Sequence, residues 1–343
     1  MAEFQRILIT GGAGFIGSNL IHYLLREYPR IKIINLDKLT YAGNLDNLKD
    51  VENDSRYEFI KDDIRDKQLV EKIYQEIDVV VHLAAETHVD RSILEAGEFV
   101  LTDVYGTCVL LEALKKSNVK LFIHVSTDEV YGSITEGSFK ETDPLMPSSP
   151  YAASKAGADR LAYSYFVTYH LPIIIVRPSN NFGPYQYPEK LIPLFVTNAL
   201  ENQPLPLYGD GTNIRDWLYV EDSCRAIDLI IHKGKLGEVY NISAGNEITN
   251  LELTKKILCI LDKSESLIKF VPDRLGHDQR YSLNCDKLKT LGWKPKFDFD
   301  SALEKTVLWY KENEWWWRKI KEKNKNYKDF YEKYYKSKIN QEN

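Results

Sequence analysis

The first half of the chain alternates short apolar runs with segments of helical length. The apolar runs are residues 7–10, 31–36, 57–61, 79–83, 121–126 and 173–177. Between the first two runs, Leu20, Ile21, Leu24 and Leu25 recur at helical spacing within residues 18–27, and the stretches 104–115 and 152–169 have a similar pattern. Short buried strands that alternate with helices predict a parallel sheet covered on both faces. Because crossovers are right-handed, we predict a doubly wound α/β sheet of Rossmann type.

The pattern changes after about residue 178, where prolines become frequent. They stand at Pro178, Pro184, Pro188, Pro193, Pro204 and Pro206. This composition predicts loops and short helices of a ligand-binding lobe. Beyond them, residues 238–243 resemble one more strand, and residues 251–261 and 301–309 resemble helices. We therefore predict a sheet domain over 1–178, with a returning segment near 215–245, and a smaller, discontinuous C-terminal lobe mainly over 179–343.

Composition places the chain among ordinary globular proteins. Its 343 residues are enough for about two domains, and the net charge of -5 argues against a nucleic-acid partner. The charge is uneven, since residues 318–340 hold nine Lys/Arg and three Asp/Glu. We expect this basic tail to be a solvated helix or a frayed end. The preceding cluster Trp315–Trp317 is expected to pack on the body or on a neighbouring subunit.

Targeting and metal signals are not found in the sequence. No apolar run approaches the ~20 residues of a membrane span, and no secretory signal precedes the first strand. The four cysteines have no metal or redox spacing, and neither do His82 and His88. We expect a cytoplasmic protein with reduced thiols, no membrane partner and no metal.

A glycine-rich turn follows the first strand directly and precedes the first helix. Its glycines Gly11, Gly14 and Gly17 permit a tight turn and let the backbone approach a pyrophosphate at the helix N-terminus. Asp37 ends the second strand, twenty residues after Gly17, where a carboxylate accepts hydrogen bonds from ribose hydroxyls. A carboxylate there repels a 2′-phosphate. The two features together predict a site for NAD in preference to NADP.

Two further strand ends lie on the same predicted side of the sheet. Asp63 and Ile64 follow the third strand, and residues 83–85, Leu-Ala-Ala, end the fourth. Ligands of open α/β sheets bind outside the carboxyl ends of the strands. We expect both segments to line the nucleotide site.

Acid–base residues follow the fifth strand. Asp128 and Glu129 end that strand, and Tyr151 and Lys155 lie four positions apart on the next helix, hence on one face. A lysine cation beside a phenol, with a positive nicotinamide nearby, favours the phenolate and so a base near neutral pH. Neighbouring carboxyl groups in a dry cleft have separated pKa values, which suits one acid and one base.

Together these features resemble the extended short-chain dehydrogenase/reductase family of nucleotide-sugar enzymes, over about residues 6–310. The motifs that carry the resemblance are ILITGGAGFIG (7–17), DKLTYAGN (37–44), LAAETHVDRS (83–92), STDEVYG (126–132), SNNFGPY (179–185), RDW (215–217) and DRLGHD (273–278). Within the family, an acid at the first position of the pair Asp128–Glu129 is typical of the 4,6-dehydratases, and epimerases and decarboxylases usually lack it.

The resemblance implies a set of site residues. The implied catalytic residues are Thr127, Asp128, Glu129, Tyr151 and Lys155. The residues implied to bind NAD are Gly11, Gly14, Phe15, Ile16, Gly17, Asp37, Lys38, Leu39, Thr40, Asp63, Ile64, Leu83, Ala84, Ala85, Thr87, Thr102, Tyr151, Lys155 and Asn181. Those implied to bind the nucleotide-sugar are Thr87, Thr127, Asn180, Lys190, Leu191, Pro206, Tyr208, Arg215, Asn250, Asp273, Arg274 and His277.

The implied reaction is a redox-neutral removal of water from a nucleoside-diphosphate glucose, giving a 4-keto-6-deoxy sugar. Tyr151 takes the C4 hydroxyl proton, Glu129 takes the C5 proton, and Asp128 protonates the departing C6 hydroxyl. A thymine and a uracil base both remain open. Another nucleotide-sugar epimerase or decarboxylase is the nearer alternative, and a non-catalytic NAD sensor on the same fold is the remoter one. The family also implies a homodimer through the helices near 104–115 and 152–169.

Overall fold

The computed structural model describes residues 4–340, and a seven-stranded parallel sheet forms its centre. The strands are β1 (Arg6–Thr10), β2 (Lys32–Asp37), β3 (Tyr57–Lys61), β4 (Val79–His82), β5 (Leu121–Val125), β6 (Ile173–Pro178), β7 (Asn180–Phe182), β8 (Leu205–Tyr208), β9 (Ile214–Tyr219), β10 (Val239–Ile242), β11 (Glu247–Thr249) and β12 (Ile268–Val271). The large sheet has the order β10-β6-β5-β4-β1-β2-β3. From β1, the strands β2 and β3 extend the sheet towards one edge, and β4, β5, β6 and β10 extend it towards the other. The strand order therefore reverses between β1 and β4. This confirms the predicted doubly wound fold.

Helices cover both faces of this sheet and build the smaller lobe. They are α1 (Phe15–Glu27), α2 (Lys67–Tyr74), α3 (Val89–Leu94), α4 (Gly97–Phe99), α5 (Thr107–Leu114), α6 (Pro150–Tyr169), α7 (Leu191–Leu200), α8 (Val220–Lys233), α9 (Asn250–Ile260), α10 (Asp286–Thr290), α11 (Phe299–Glu312), α12 (Glu314–Lys323), α13 (Lys325–Phe330) and α14 (Ser337–Asn340). Short 3₁₀ turns occur at Leu45–Leu48, Asp128–Tyr131 and Glu265–Leu267, and π-helical turns at Val100–Gly106 and Tyr331–Lys336.

Alternate side chains of each central strand pack into two separate hydrophobic cores, one on each face of the sheet. In β1, Ile7 and Ile9 pack on the face covered by α1 and α8, whereas Leu8 packs on the face covered by α2, α5 and α6. Successive side chains of a strand point to opposite faces, so a strand buried on both sides is apolar throughout. This is why the strands were visible in the sequence as short apolar runs.

The lobe after residue 178 is more regular than the prolines predicted. It contains the ten-residue helix α7 and the fourteen-residue helix α8. The prediction of loops and short helices was therefore wrong for residues 191–200, whereas α8 lies in the segment that was predicted to return to the sheet domain. Helix α8 returns to the large sheet and packs against α1, and β10 then joins the sheet edge beside β6. Two small sheets, β11-β9-β7 and β12-β8, belong to the lobe.

The basic tail packs on the lobe through the buried side chains of Tyr327, Phe330 and Tyr335, so the expectation of a solvated helix or a frayed end was wrong. Trp316 and Trp317 are 1% and 0% exposed in the core of the lobe, as expected of the tryptophan cluster, while Trp315 is 52% exposed. The indole of Trp317 donates to the carbonyl of Tyr310 at 2.8 Å, and that of Trp316 donates to Asn47 Oδ1 at 2.8 Å. Both buried indole N–H groups therefore have the acceptor that a buried N–H needs. The two hydrogen bonds hold the chain in place where the tail begins.

Candidate active site

The glycine turn is held in a form that side chains would break. Gly11 has φ of +72°, and a Cβ there would lie 2.7 Å from the Cα of Ala84. A Cβ on Gly17 would lie 2.4 Å from the carbonyl oxygen of Gly11. Gly14 is the N-cap of α1 and supplies no side-chain cap. The first N–H groups of the helix therefore stay available to an anion, which is what a pyrophosphate needs.

Asp37 ends β2 beside this turn. Its carboxylate is 8% exposed and accepts from the backbone N–H of Ala13 at 2.9 Å and of Leu39 at 2.8 Å. Burial raises the pKa of Asp37, and the two N–H groups oppose that rise. Leu39, two residues after Asp37, adopts a φ of +58°, so the chain turns sharply directly after the N–H that Asp37 accepts. Asp37 is thus oriented before any ligand binds.

One cavity of about 390 Å³ opens at the carboxyl ends of the central strands. The predicted residues that line it are Gly11, Gly14, Phe15, Ile16, Gly17, Asp37, Lys38, Thr40, Asp63, Ile64, Leu83, Ala84, Ala85, Thr87, Thr102, Thr127, Asp128, Glu129, Tyr151, Asn180, Asn181, Lys190, Leu191, Pro206, Tyr208, Arg215, Asn250, Arg274 and His277. Leu39, Lys155 and Asp273 are not in its wall. Asp273 instead accepts from Nδ1 of His277 at 2.6 Å and supports that ring.

The two carboxyl groups lie on a 3₁₀ turn rather than on a flat strand. Thr127 caps the turn, its Oγ1 accepting from the N–H of Glu129 at 3.3 Å and donating to Asp128 Oδ1 at 3.1 Å. Alternation would send adjacent strand residues to opposite faces. The turn removes that constraint, so both Asp128 and Glu129 reach the cavity.

A buried ion pair holds the 3₁₀ turn that carries Asp128 and Glu129. Tyr131, the last residue of the turn, accepts from Nη1 of Arg177 at 2.6 Å and donates to Asn241 Oδ1 at 2.9 Å. Arg177 pairs with Asp159 of α6 at 2.8 Å, and both side chains are at most 1% exposed. The carboxyl turn, β6 and α6 are therefore held in one rigid unit.

The electrostatics of the pair are unequal. Burial raises the pKa of Asp128 well above its ordinary value, and the neighbouring Glu129 raises it further. Burial also raises the pKa of Glu129, but the cations of Arg274, Lys190 and Arg215 oppose that rise. Asp128 therefore holds a proton more readily, and Glu129 loses its proton more readily.

Tyr151 enters the cavity from the first turn of α6. Ser149 caps that helix by accepting from Ala152 at 3.1 Å, Pro150 follows the cap, and the N–H of Tyr151 donates to Ser92 Oγ at 3.1 Å. A proline directly after a serine cap is a strong helix start. The phenol therefore has a fixed position.

The surroundings of Tyr151 oppose the phenolate that the sequence predicted from Lys155 together with a positive nicotinamide nearby. Nζ of Lys155 donates to the carbonyl of Val125 at 2.7 Å. Burial raises the pKa of Tyr151 well above its ordinary value, and the charges of Glu129, Asp103 and Asp128 raise it further. The lysine therefore needs a second cation near the phenol before the phenolate becomes accessible.

Cations gather at the lobe side of the cavity. Arg215 lies over the ring of Tyr281 at 4.2 Å and donates to the carbonyl of Asp278 at 2.9 Å. The buried Nε of Arg274, whose side chain is partly exposed, has no hydrogen-bond partner within the protein. Nζ of Lys190 donates to the carbonyl of Thr87. Two guanidinium groups and an ammonium group suit a diphosphate.

Other polar atoms of the wall are buried without a protein partner. They include Ser126 Oγ, Asp128 Oδ2, Ser179 Oγ, Asn180 Oδ1, Asn181 Oδ1, Gln186 Oε1 and Asn250 Oδ1. Buried polar atoms are normally hydrogen-bonded, so a cluster of such atoms around one cavity indicates a polar ligand. The glycine turn, Asp37 and this cluster fit a dinucleotide such as NAD next to a second polar ligand.

Sequence reasoning missed several residues of the wall. Tyr281 and Tyr335 both line the cavity. Neither lies in a motif, and Tyr335 belongs to the basic tail. Only the apolar and aromatic spacing of that tail, with Tyr327, Phe330 and Tyr331 before it, indicated a packed helix. Among residues 4–340, no group of three or more His, Cys, Asp or Glu side chains could hold a metal ion, and no helix has the length and apolar character of a membrane span.

The glycine turn, the strand-end carboxylate and the Tyr–Lys helix on a doubly wound sheet define a short-chain dehydrogenase/reductase of the extended type. The chain belongs to the GDP-mannose 4,6 dehydratase family, whose model matches residues 8–306. It is 51% identical to the low-salt glycan biosynthesis protein Agl12 of Haloferax volcanii, over 89% of this chain and 98% of that one. It is 49% identical to the dTDP-glucose 4,6-dehydratase of Streptomyces niveus, over 92% and 96% of the two chains. The crystal structure of DesIV, a dTDP-glucose 4,6-dehydratase from Streptomyces venezuelae with NAD and dTDP bound, matches with a TM-score of 0.91 at 50% identity, over 92% of this chain and 100% of that one.

Proposed function

We propose that the protein is an NAD-dependent dTDP-glucose 4,6-dehydratase, a lyase that converts dTDP-glucose into dTDP-4-keto-6-deoxy-glucose and water. The observation that carries the proposal is the carboxyl pair Asp128–Glu129, with unequal pKa values, in the same cavity wall as Tyr151. An epimerase acting at C4 has no use for an acid and a base beside the sugar. A non-catalytic NAD sensor would need neither the carboxyl pair nor Tyr151.

The cofactor half of the cavity supports NAD as the partner of this chemistry. When bound, NAD would supply the transient oxidation of the sugar at C4 and the later return of the hydride at C6. The N-terminus of α1 would hold its pyrophosphate, and Asp37 would accept from the adenosine ribose hydroxyls. The same carboxylate repels a 2′-phosphate, which favours NAD over NADP.

Tyr151 acts in the first half of the proposed reaction. Its phenolate takes the proton of the C4 hydroxyl, and Thr127, whose side chain stabilises the phenolate, orients it. The phenol is held near three carboxyl groups, so its proton leaves readily only when cationic charge balances them. Lys155, fixed on the carbonyl of Val125, contributes part of that charge.

The carboxyl pair acts after the C4 carbonyl has formed, because that carbonyl makes the C5 proton acidic. Glu129, held nearer its ionised form by the cations around it, takes this proton. Asp128, held in its protonated form by burial, gives its proton to the C6 hydroxyl, which leaves as water. Glu129 then returns its proton to C5. Tyr151 has gained the C4 hydroxyl proton and Asp128 has lost its own to the water, so the starting state returns once one proton has been released by Tyr151 and one taken up by Asp128.

The lobe residues support a nucleoside-diphosphate sugar as the second ligand. Arg215, Arg274 and Lys190 would bind the diphosphate. The thymine base is proposed from the relatives named as dTDP-glucose 4,6-dehydratases. Incubation with dTDP-glucose and, separately, UDP-glucose tests the proposal by the mass of the product. We expect the loss of one water from dTDP-glucose, at a higher rate than from UDP-glucose.

We also propose that the protein is a homodimer in the cytoplasm. Its four cysteines are free thiols, in keeping with a reducing compartment. The outer faces of the Val100–Gly106 turn and of α6 expose large apolar side chains. These are Val100, Leu101, Tyr105, Tyr163, Val167 and Tyr169. Large apolar side chains exposed on two neighbouring helical segments are typical of a subunit interface.

A double change of Tyr163 and Val167 to Glu should separate the subunits. The two side chains lie one turn apart on the exposed face of α6, and a charge buried at an interface without a partner strongly disfavours association. Sedimentation velocity should show a dimer for the unchanged protein and a monomer for the variant. Leu236→Glu, at a residue that is 51% exposed elsewhere, is the matched control. A monomeric unchanged protein would refute the proposed interface.

A further inference from the structure

Asp103 is a buried carboxyl group that has no part in the reaction steps described so far. It lies on the π-helical turn Val100–Gly106 and is 1% exposed. Its neighbour Thr102 lines the cavity, whereas Asp103 is not in the cavity wall. π-Helical turns are rare and are frequent at functional sites. Any effect of Asp103 on the reaction therefore passes through other residues.

The carboxyl group of Asp103 joins the start of α6 to the segment after β4. Its Oδ2 accepts from Ser154 Oγ at 2.6 Å, and its Oδ1 accepts from the N–H of Glu86 at 3.0 Å. Ser154 stands between Tyr151 and Lys155 in the sequence of α6, and its Oγ also lies 2.8 Å from the carbonyl oxygen of Tyr151. Asp103 thus supports the helical turn that carries both the phenol and the lysine.

Two carboxyl groups act on the charge of Lys155, and they differ in their own partners. Burial lowers the pKa of Lys155, and the charges of Asp103 and Asp159 oppose that fall. Asp159 forms an ion pair with Arg177 at 2.8 Å. In the part of the chain that the structure describes, the Asp103 carboxylate accepts from a hydroxyl and a backbone N–H and forms no ion pair. The charge of Asp103 is therefore left to act on Lys155.

Two histidines influenced by the charge of Lys155 are uncharged. Burial lowers the pKa of His82 well below its ordinary value, and it lowers that of His124 to about 3. Neither ring adds a positive charge at neutral pH. Neither therefore balances the charge of Asp103.

Asp103 itself ionises in the range where enzymes work. Burial raises the pKa of Asp103 to about 6, although Lys155, Ser154 and the N–H of Glu86 lower it. The side chain of Glu86 is a further carboxyl group near Asp103. Burial raises the pKa of Glu86 to about 7, and the charge of Asp103 adds to that rise. At neutral pH Asp103 is mostly ionised.

We propose that Asp103 is a positioning residue for the base Tyr151, because its carboxyl group supports Ser154 and its negative charge offsets the lysine charge that favours the phenolate. The proposal rests on the proposed function, in which this phenolate takes the C4 hydroxyl proton. Burial raises the pKa of Tyr151, and the charges of Glu129, Asp103 and Asp128 add to that rise. An uncharged side chain at position 103 therefore makes the phenolate more frequent at a given pH.

Asp103→Asn removes the charge and keeps the hydrogen bonds. The amide Oδ1 can accept from the N–H of Glu86, and Nδ2 can donate to Ser154 Oγ. In a single turnover with dTDP-glucose, the rate of NADH formation should rise with pH as Tyr151 ionises. The midpoint of this rise should move to lower pH by about one unit in the variant, the scale for loss of one like charge in a buried site.

Two further variants separate the charge from the support. Glu98→Gln removes an equal charge from a side chain that is 57% exposed and outside the cavity wall. Its midpoint should stay in place, because solvent and salt screen an exposed charge. Asp103→Ala loses both the charge and the hydrogen bonds. Its midpoint should also move to lower pH, with a maximal rate below that of Asp103→Asn.

NMR of the NAD complex, with carbon-13 at Cζ of the tyrosines, gives a readout apart from turnover. The signal of Tyr151 is assigned by its absence in Tyr151→Phe, and its titration midpoint should be lower in Asp103→Asn than in the unchanged protein. The proposal holds if the midpoints move to lower pH in Asp103→Asn and stay in place in Glu98→Gln.

The proposal is overturned if Asp103→Asn slows NADH formation without moving the midpoint, which is the result of a purely structural role. A midpoint that moves to higher pH also overturns it. If the unchanged protein forms NADH from neither dTDP-glucose nor UDP-glucose, the proposed function has failed instead. The NMR midpoint of Tyr151 then decides the role of Asp103 by itself.

Discussion

Replacing Glu129 by Gln is expected to slow the release of water by roughly 10²–10⁴-fold, the range for loss of one positioned acid or base. The amide keeps the size and reach of the carboxylate but cannot accept the C5 proton. Tyr151 is intact, so the sugar should still be oxidised at C4. Rapid mixing with dTDP-glucose should therefore show NADH absorbance in the enzyme while product formation, followed by mass, is slow.

Asp128→Asn is the paired variant, with an equal expected loss of elimination. Solvent deuterium distinguishes the two. With Asp128→Asn the base survives, so C5 can exchange its proton without departure of water. With Glu129→Gln, exchange at C5 should fall together with elimination. Formation of the keto-deoxy product by both variants at the normal rate would show that these carboxyl groups are not the acid and the base.

Tyr151→Phe should block the reaction one step earlier. The ring keeps its contact with Phe99, at a centroid distance of 6.3 Å, but the group that takes the C4 hydroxyl proton is lost. Oxidation at C4 should slow by at least ~100-fold, and neither NADH absorbance nor C5 exchange should appear on the normal timescale.

Tyr165→Phe is the matched control for Tyr151→Phe. Tyr165 lies on the same helix, but its hydroxyl donates to Glu112, outside the cavity wall. It should oxidise the sugar at the rate of the unchanged protein. If Tyr151→Phe also does so, another group takes the C4 proton.

Local features of the fold and of the cofactor site were predictable from the sequence. Gly11 and Gly17 face backbone at distances that exclude any side chain, and Asp37 is held by N–H groups of Ala13 and Leu39. Each of these constraints acts within a short stretch of chain or between neighbouring strands. The spacing of these residues along the sequence was therefore enough to predict the cofactor site.

Helix α8 and the tail were missed for different reasons. In α8, buried Val220, Ile227 and Ile231 recur at helical spacing. The prolines before this segment favoured a prediction of loops, so the helical spacing was not used. Tyr335 meets Asp90 across 245 residues. No local pattern encodes such a contact, because it depends on how the lobe and the tail pack.

The pKa of Tyr151 was also beyond sequence reasoning. The spacing to Lys155 was visible, and together with a positive nicotinamide nearby it suggested a lowered pKa. The opposing groups Glu129, Asp103 and Asp128 come from other segments, and burial is a property of the whole fold. The sequence could identify the acid–base residues by resemblance, but the balance of charge around them needed the structure.

The most direct test of the dehydratase account is the fate of a label at C4. The purified protein would be given dTDP-glucose that carries deuterium on C4, and the product would be analysed by mass spectrometry and NMR. The account predicts a product that has lost one water, has a keto group at C4 and carries the deuterium on C6. Deuterium that remains on C4 of an intact or epimerised sugar would contradict it.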